Sequence, residues 1–269
     1  MATLQHRDAA PATGAAETAG GEVILSAEGL TKEFKGFVAV KDVNLAIRGG
    51  TIHALIGPNG AGKTTVFNLL TKFLVPTRGR IVYRGQDITA TSPADIARLG
   101  LVRSFQISAV FGHLTVLDNV RVALQRPRHL ATQFWRSDAS LSVLDDRAME
   151  LIRSVGLEPY GRTVAVELSY GRKRALELAT TMALEPDLML LDEPMAGMAH
   201  EDIHEIAELI RRVAKGRTVV MVEHNLSVVS DLCDRVTVLQ RGEVLAEGSY
   251  GEVSRDPRVR EAYMGSDHD

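Results

Sequence analysis

Residues 57–65 read Gly57-Pro58-Asn59-Gly60-Ala61-Gly62-Lys63-Thr64-Thr65. This stretch fits in full the pattern of glycine, four residues, glycine, lysine and serine or threonine that forms a phosphate-binding loop. A short apolar strand pattern, Thr51 to Ile56, precedes it, and an apolar helix pattern, Val66 to Leu70, follows it. The motif requires this order of strand, loop and helix. The stretch therefore predicts a strand–loop–helix unit of an α/β fold and the binding of a nucleoside triphosphate.

The residues of this loop have different roles in holding a nucleotide. Glycines let the backbone curve around a β-phosphate with its N–H groups pointing inward, at a helix N-terminus that favours anions. We expect Lys63 to reach the β- and γ-phosphates and the Thr64 hydroxyl to be a ligand of Mg²⁺. The predicted nucleotide-binding residues of the loop are Gly57, Pro58, Asn59, Gly60, Ala61, Gly62, Lys63, Thr64 and Thr65.

Two neighbouring carboxylates end a second apolar strand pattern. Leu188 to Leu191 runs directly into Asp192 and Glu193. We expect Asp192 to hold Mg²⁺, through water, and Glu193 to orient the water that attacks the γ-phosphate. The alternative is that the two acids at the strand end only cap the next segment and have no catalytic role. The complete phosphate loop in the same chain favours the catalytic interpretation.

A histidine follows a third strand pattern. His224 lies just past the β-branched run Thr218–Val222. If the strands are parallel, the phosphate loop, the acid pair and His224 all lie at strand carboxyl ends, where open α/β sheets bind ligands. A single histidine is more often structural, but this position favours a catalytic role for His224.

One predicted helix begins against the helix dipole. Ser169 and Gly171 precede three successive cations, Arg172, Lys173 and Arg174. Cations in a first turn oppose the macrodipole, and a bound anion would relieve that conflict. Ser169 at the N-cap and the glycine would offer donors to a phosphate. Since the first site is complete around Lys63, we expect this helix to serve the nucleotide of another subunit; ordinary solvated side chains are the alternative.

The remaining patterns suggest a layered α/β chain. Strand patterns dominate from Glu22 to Gly50, helical patterns run from about residue 107 to 184, and the last third alternates strand and helix. Alternating strands and helices favour a parallel sheet with helices on both faces. The first 21 residues have no apolar core of a secretion signal and are predicted to form a disordered tail.

Composition excludes several classes of protein. The 269 residues carry 31 Lys+Arg and 34 Asp+Glu, a net charge of −3. This balance lacks the basic excess of a nucleic-acid-binding domain, so no nucleic-acid partner is expected. The single cysteine, Cys233, can form neither an internal disulfide nor a multi-cysteine metal site. The apolar runs are far shorter than the ~20 residues that cross a bilayer, so we expect no transmembrane segment.

Taken together, these motifs resemble the ATP-binding subunit of an ABC transporter, from about Val23 to Gly265. The segment Leu168-Ser169-Tyr170-Gly171 is similar to the family signature and comes shortly before the acid pair. Within the resemblance, Gln106 matches the glutamine that contacts the metal and faces the membrane partner. His224 matches the histidine that contacts the γ-phosphate, and Phe34 stands where an aromatic ring packs on adenine.

The resemblance implies a fold and a set of site residues. The fold is α/β, a P-loop NTPase parallel-sheet core with an N-terminal antiparallel β subdomain and an inserted α-helical subdomain. The ATPase domain would span 22–265, with tails at 1–21 and 266–269 and the helical subdomain at about 107–184. The implied catalytic residues are Glu193, His224 and Gln106; the metal ligands are Thr64, Gln106 and Asp192; the nucleotide contacts beyond the loop are Phe34, Ser169 and Gly171.

Some residues depart from the family pattern, and others indicate a branch within it. Tyr170 replaces the usual second glycine, Arg172 the usual glutamine, and Met198-Ala199-His200 lacks the usual aspartate. The insert Arg126–Ser140 and the ending Glu261–Gly265 resemble the branched-chain amino-acid uptake branch. Related importers of urea, amides or other amino acids share these traits and remain an alternative.

The implied function is ATP hydrolysis, with ATP and Mg²⁺ as cofactors, that energises uptake of branched-chain or related amino acids. The implied partners are transmembrane permease subunits, a homologous or identical ATP-binding subunit and, indirectly, an extracytoplasmic substrate-binding protein. The implied location is the cytoplasmic face of the cell membrane, as a peripheral subunit. Two other functions remain open: a soluble ABC ATPase of a non-transport assembly, and a metabolic P-loop kinase.

Overall fold

The computed structural model describes residues 21–104, 110–125 and 144–264. The predicted tails at 1–21, apart from Gly21, and at 266–269 lie outside the described residues, as do Gln106 and the Arg126–Ser140 insert. No helix within the three described ranges is long and apolar enough to cross a membrane.

The described residues form two sheets and a set of covering helices. The strands are β1 (Val23–Phe34), β2 (Phe37–Arg48), β3 (Ile52–Ile56), β4 (Arg78–Tyr83), β5 (Gln86–Asp87), β6 (Leu101–Arg103), β7 (Leu188–Asp192), β8 (Thr218–Val222), β9 (Arg235–Gln240) and β10 (Glu243–Gly248). The α-helices are α1 (Lys63–Leu70), α2 (Pro93–Arg98), α3 (Val116–Gln125), α4 (Asp145–Ser154), α5 (Tyr170–Met182), α6 (His200–Val213), α7 (Leu226–Leu232), α8 (Tyr250–Val253) and α9 (Pro257–Met264).

The N-terminal strands form the predicted antiparallel sheet, in the order β2-β1-β4-β5. A tight turn joins β1 to β2, and both of its residues, Lys35 and Gly36, have positive φ (47° and 90°). Such turns match the right-handed twist of the strands that they connect. The turn therefore places Phe34 directly opposite Phe37 at the tip of the hairpin.

The larger sheet has the order β10-β9-β3-β8-β7-β6 among the described residues. Each pairing from β9 to β6 is parallel, and β10 is antiparallel to β9. Strand β3 is buried along its whole length because both of its faces are covered. Ile52, Ala54 and Ile56 pack into one core cluster, and Leu55 packs into the other. The predicted α/β fold with a parallel core is confirmed.

The strand order brings the candidate site together. Strand β8 pairs with β3 on one side and with β7 on the other, in parallel, and the register places Asp192 beside Val222. The carboxyl ends of β3, β7 and β8 therefore lie side by side. Between β6 and β7 the chain forms α3, α4 and α5, whose buried residues share one core cluster. These helices make up the predicted helical insertion.

A buried histidine is the second residue of β3. His53 is fully buried, and its Nε2 atom is 2.8 Å from the Oγ1 atom of Thr237. Burial, with the charge of Arg235 nearby, lowers the pKa of His53 from 6.5 to about 3. The folded chain therefore excludes a proton that the unfolded chain accepts.

We expect His53 to make the folded state less stable in acid. Between pH 6.5 and 3 the unfolded chain binds one more proton, so the free energy of unfolding falls by about 1.4 kcal/mol for each pH unit below 6.5. In His53→Gln the difference in unfolding free energy between pH 7 and pH 5 should shrink by roughly 2 kcal/mol. Denaturant unfolding at the two pH values measures it, with the exposed His204→Gln as control. Equal differences in wild type and His53→Gln would contradict this.

Candidate functional site

The phosphate loop has a backbone that only glycine can adopt at its ends. Gly57 follows β3 with φ 149°, and Gly62 precedes α1 with φ 97°. A Cβ atom on Gly57 would lie 2.1 Å from the carbonyl oxygen of Leu239, and one on Gly62 would lie 2.9 Å from that of Ala39. The loop is therefore pressed against neighbouring backbone. This close fit explains the first and last glycines of the motif.

Lys63 is bonded to the start of its own loop. Its Nζ atom donates to the carbonyl oxygens of Gly57 (2.6 Å) and Pro58 (2.9 Å), and the side chain is buried. Burial lowers the pKa of Lys63, while the negative charge of Glu193 opposes that shift. The positive charge of Lys63 is thus held at the mouth of the loop, with a carboxylate close enough to influence it.

The loop opens into a cavity of about 650 Å³. Glu193 and His224 line it together with the loop, and Arg241 and residues of β2 complete the wall. The loop residues in its lining are Asn59, Gly60, Ala61, Gly62, Lys63, Thr64 and Thr65. Pro58 lines a neighbouring cavity on the outer side of the loop, beside α9. The structure therefore brings the predicted loop, acid and histidine to one concave site.

Glu193 and His224 are in contact with each other at the wall of the cavity. Glu193 Oε2 lies 3.2 Å from His224 Nε2, and the two side chains are 32% and 51% exposed. Glu193 has the left-handed φ of 46°, which is uncommon for a residue with a side chain and concentrates at functional sites. The two side chains are therefore accessible and close together, and Glu193 reaches His224 from an unusual backbone conformation.

A buried carboxylate that the sequence analysis did not single out supports this pair. Glu223 is 1% exposed. Its Oε1 accepts from the N–H of Met195 (3.0 Å), and its Oε2 accepts from those of His224 (2.9 Å) and Asn225 (3.0 Å). Glu223 thus fastens the turn after β7 to the loop after β8. The only sequence signal for it is an acid directly before His224.

Asp192 has a cationic partner that sequence reasoning also missed. Arg103 Nη2 lies 2.5 Å from Asp192 Oδ2, and Arg103 Nη1 donates to Asn68 Oδ1 at 2.7 Å. The guanidinium stacks on Phe67 at 5.1 Å, and the ion pair is mostly buried. Arg103 ends β6, next to β7 in the sheet, so its position at a strand carboxyl end was the available signal.

The aromatic residue at the cavity differs from the predicted one. Phe34 is 41% exposed, and Lys32 Nζ lies over its ring at 5.1 Å, but it is not part of the cavity wall. Phe37, opposite Phe34 across the hairpin, lines the cavity and is 69% exposed. Phe37 is therefore a second candidate for stacking on a nucleotide base.

Ser169 and Gly171 lie away from the phosphate loop of the same chain. They line a second cavity of about 750 Å³ between α5 and α6. Ser169 is the N-cap of α5, and its exposed side chain makes no capping hydrogen bond. A nucleotide in contact with these residues would belong to a second copy or a homologue, as the sequence predicts.

The two arginines in the cation run of α5, Arg172 and Arg174, have different environments. Arg172 lies over the ring of Tyr160, with its guanidinium carbon 4.1 Å from the ring centre. Arg174 is buried and pairs with Glu177 at 2.6 Å. The interpretation of all three as cations awaiting an anion is therefore wrong for Arg174, because its charge is met inside the chain.

The donor set suits a nucleotide with Mg²⁺. The glycine cradle leaves no room for a Cβ atom at its ends, and Lys63 and Thr64 lie at the cavity wall. A hydroxyl, a carboxylate and phosphate oxygens are the hard oxygen ligands that Mg²⁺ prefers. Thr64 and Asp192 are the candidates among the described residues, and Gln106 lies outside them.

Comparison with known proteins gives the same family that the sequence motifs resemble. The family described as ABC transporter matches residues 40–196, and the family described as Branched-chain amino acid ATP-binding cassette transporter matches residues 243–269. The chain is 38% identical over 251 residues to the high-affinity branched-chain amino acid transport ATP-binding protein LivG of Escherichia coli (strain K12), covering 90% of this chain and 98% of LivG. It is 35% identical over 245 residues to the lipopolysaccharide export system ATP-binding protein LptB of Acidithiobacillus ferridurans, covering 90% and 97%.

A solved structure of the same class has the same fold. The crystal structure of the ADP conformation of an ATP-binding cassette of an ABC transporter superposes with a TM-score of 0.79 at 29% identity, covering 90% of this chain and 99% of that one. The family match and the two relatives agree with the family that the sequence motifs resemble, and this structure agrees with the fold described above. The chain belongs to the ABC transporter family, as an ATP-binding subunit with ATPase chemistry.

Proposed function

We propose that this chain binds ATP with Mg²⁺ and hydrolyses it to drive uptake of branched-chain or related amino acids through membrane permease subunits. The observation that carries the catalytic part is the single cavity shared by the phosphate loop, Glu193 and His224. The transport part is supported by the similarity to LivG and by the family match at residues 243–269.

Each candidate site residue has a role in this proposal. The N–H groups of residues 57–65 and the ammonium of Lys63 hold the phosphates. Glu193 orients a water molecule and accepts its proton, and His224, 3.2 Å away, contacts the γ-phosphate. Thr64, Asp192 and Gln106 would hold Mg²⁺, which would supply positive charge to the phosphate oxygens. Phe34 or Phe37 packs on the base.

The proposed working form is a head-to-tail pair of ATP-binding subunits. Ser169 and Gly171 of one subunit would cover the nucleotide held by the loop of the other, which fits their place in a cavity that the loop of the same chain does not line. The second subunit is a copy of this chain or a homologous one. Tighter binding of ATP to the closed pair would shift the membrane subunits between two states.

The proposed setting is the cytoplasmic face of the cell membrane, with permease subunits as direct partners and an extracytoplasmic binding protein that delivers the substrate. Import of urea or amides is an alternative substrate assignment within the same mechanism. Lipopolysaccharide export is a second candidate function, favoured by the 35% identity to LptB. The match of the C-terminal residues to the branched-chain family favours amino-acid uptake.

Isolation of the intact complex tests the transport assignment. The chain, carrying an affinity tag, is purified from its own membranes together with its partners, and ATPase activity is measured in lipid vesicles. We expect permease subunits to copurify and leucine, isoleucine or valine, with the binding protein, to raise ATP turnover. Stimulation by urea or an amide instead would replace the substrate, and copurification of a soluble scaffold alone would overturn transport.

The contact between Arg103 and Asp192 gives a test of the metal site. Arg103→Met leaves a mostly buried carboxylate without its counter-charge, so we expect the free energy of unfolding to fall by roughly 2 kcal/mol. Mg²⁺ with ADP should reduce this deficit, because the metal brings positive charge to Asp192; ADP in EDTA should not. Denaturant unfolding in the two media measures the difference.

The matched control for that experiment is Arg98→Met, which breaks an exposed pair with Asp95. An exposed pair contributes at most about 1 kcal/mol, and its loss should not respond to Mg²⁺. A deficit in Arg103→Met that is the same with and without Mg²⁺ would argue against Asp192 as a metal ligand.

A further inference from the structure

A buried ion pair lies on α5, one turn inside the helix. Arg174 and Glu177 have side chains that are 7% and 3% exposed, and Arg174 Nη1 lies 2.6 Å from Glu177 Oε2. Burial raises the pKa of Glu177, and the charge of Arg174 opposes that rise. Buried ion pairs contribute little net stability compared with apolar residues of the same volume. The pair therefore needs an explanation other than stability.

The second guanidinium nitrogen of Arg174 reaches the turn after β7. Nη2 donates to the backbone carbonyl oxygen of Glu193 at 3.2 Å. The same carbonyl accepts from the N–H of Ala196 at 3.0 Å, and the N–H of Glu193 donates to Val222 at 3.0 Å. The peptide groups on both sides of Glu193 are thus held by hydrogen bonds from three different directions.

The backbone of Glu193 determines where its carboxylate lies. Its φ of 46° is in the left-handed region, which costs about 1 kcal/mol for a residue with a Cβ atom. Such a conformation persists only where the surroundings fix it. Since the carboxylate meets His224 at 3.2 Å from this backbone position, a shift of the peptide moves the catalytic carboxylate.

Glu177 extends the contact to a third element. The hydroxyl of Ser104 forms a hydrogen bond with the Glu177 carboxylate, and the N–H of Ser104 donates to Leu190 at 2.9 Å. The pair therefore joins α5 to the end of β6 and to the turn after β7. Arg174 of α5 thus contacts Glu193, while Gly171 in the first turn of the same helix lines the second cavity.

We propose that Arg174 is a positioning residue for ATP hydrolysis, which couples the position of α5 to the backbone of Glu193. The inference rests on the proposed function, because it takes Glu193 as the group that orients the attacking water. If the start of α5 contacts the nucleotide of a second subunit, Arg174 makes turnover at one nucleotide depend on contacts at the other.

Two variants separate positioning from stability. Arg174→Met/Glu177→Met replaces the pair by apolar side chains of similar length, a change that leaves buried sites as stable or more stable. Arg174→Lys keeps the charge but loses the fork that reaches Glu177 and Glu193 together. Both are made in the full chain, in complex with its permease subunits, with Arg98→Met, which breaks an exposed i,i+3 pair with Asp95 on α2, as control.

The measurements are kcat and KM for ATP, equilibrium binding of ATP in EDTA, and the melting temperature. We expect both variants to melt within a few degrees of the wild type and to bind ATP within about twofold, while kcat falls at least tenfold. Arg98→Met should keep the wild-type kcat. A wild-type kcat in either variant overturns the positioning role, and so does a fall in kcat only in proportion to lost stability.

The experiment also distinguishes this inference from the proposed function. If the wild-type complex does not hydrolyse ATP, or if Glu193→Gln hydrolyses it normally, the proposed function fails, and the inference fails with it. If those two behave as expected and Arg174→Met/Glu177→Met turns over at the wild-type rate, only the role of Arg174 is lost.

Discussion

Glu193→Gln should lower the rate of ATP hydrolysis about a thousandfold and leave ATP binding intact. The amide has the shape of the carboxylate but cannot accept a proton from water, and general-base catalysis contributes 10²–10⁴-fold. Glutamine can keep a hydrogen bond to His224, which lies 3.2 Å from Glu193, so the cavity should keep its form. Phosphate release measures turnover, and calorimetric titration measures the affinity for ATP.

Glu185→Gln is the matched control. Glu185 is exposed, lies outside the cavity before β7 and has a left-handed φ of 52°, close to that of Glu193. Its replacement should change neither rate nor affinity. Hydrolysis at the native rate in Glu193→Gln would assign the base elsewhere, and loss of ATP binding would make Glu193 a nucleotide-holding residue instead.

Gly57→Ala should lose both the phosphate loop and much of the stability of the fold. The added methyl group would lie 2.1 Å from the carbonyl oxygen of Leu239, a backbone atom that cannot move away without shifting β9. We expect the free energy of unfolding to fall by more than about 4 kcal/mol, in the range of the most damaging substitutions. Denaturant unfolding and the soluble yield report this loss, and titration with ATP reports the state of the loop.

A glycine in open space controls for the backbone effect. Gly85, in the turn between β4 and β5, has φ 76°, and an added Cβ atom meets nothing within 4 Å. Gly85→Ala should therefore cost only the ~1–2 kcal/mol of a left-handed residue. Equal losses in the two variants would show that conformation alone, and not the clash with Leu239, sets the requirement for Gly57.

Much of the fold and part of the candidate site could be predicted because local patterns and a simple rule of topology agree. The apolar runs before Gly57, Asp192 and His224 are strands in the structure, and neighbouring parallel strands place their carboxyl ends together. The carboxyl-end rule is independent of side-chain detail. The sequence patterns and this rule together therefore predict that the phosphate loop, Glu193 and His224 lie close to one another.

The partners of these residues could not be predicted, because they depend on which helix face and which hairpin face packs inward. Arg172 and Arg174 belong to the same run of three cations, yet Arg174 is buried against Glu177 and Arg172 is exposed over Tyr160. The roles of Phe34 and Phe37 depend on the geometry of the two-residue turn between them. Tertiary packing decides such questions, and periodicity alone does not.

Arg103 illustrates a different limit. The sequence places it near Gln106, whose match to the family directs attention to the glutamine. Its ion pair with Asp192 depends on β6 lying beside β7, a pairing that joins residues almost ninety positions apart. A contact of that kind follows from the strand order of the sheet, and no local motif specifies the strand order.

The Glu223 carboxylate has a consequence for how hydrolysis is controlled. By accepting from Met195, His224 and Asn225, it cross-links the two loops that carry the acid and the histidine. Those loops extend from adjacent strands of one rigid sheet, which also carries the phosphate loop. The proposed catalytic groups of a single chain are therefore preorganised, and hydrolysis would need little reorganisation energy within them. Control of the rate is left to groups that arrive from outside the sheet.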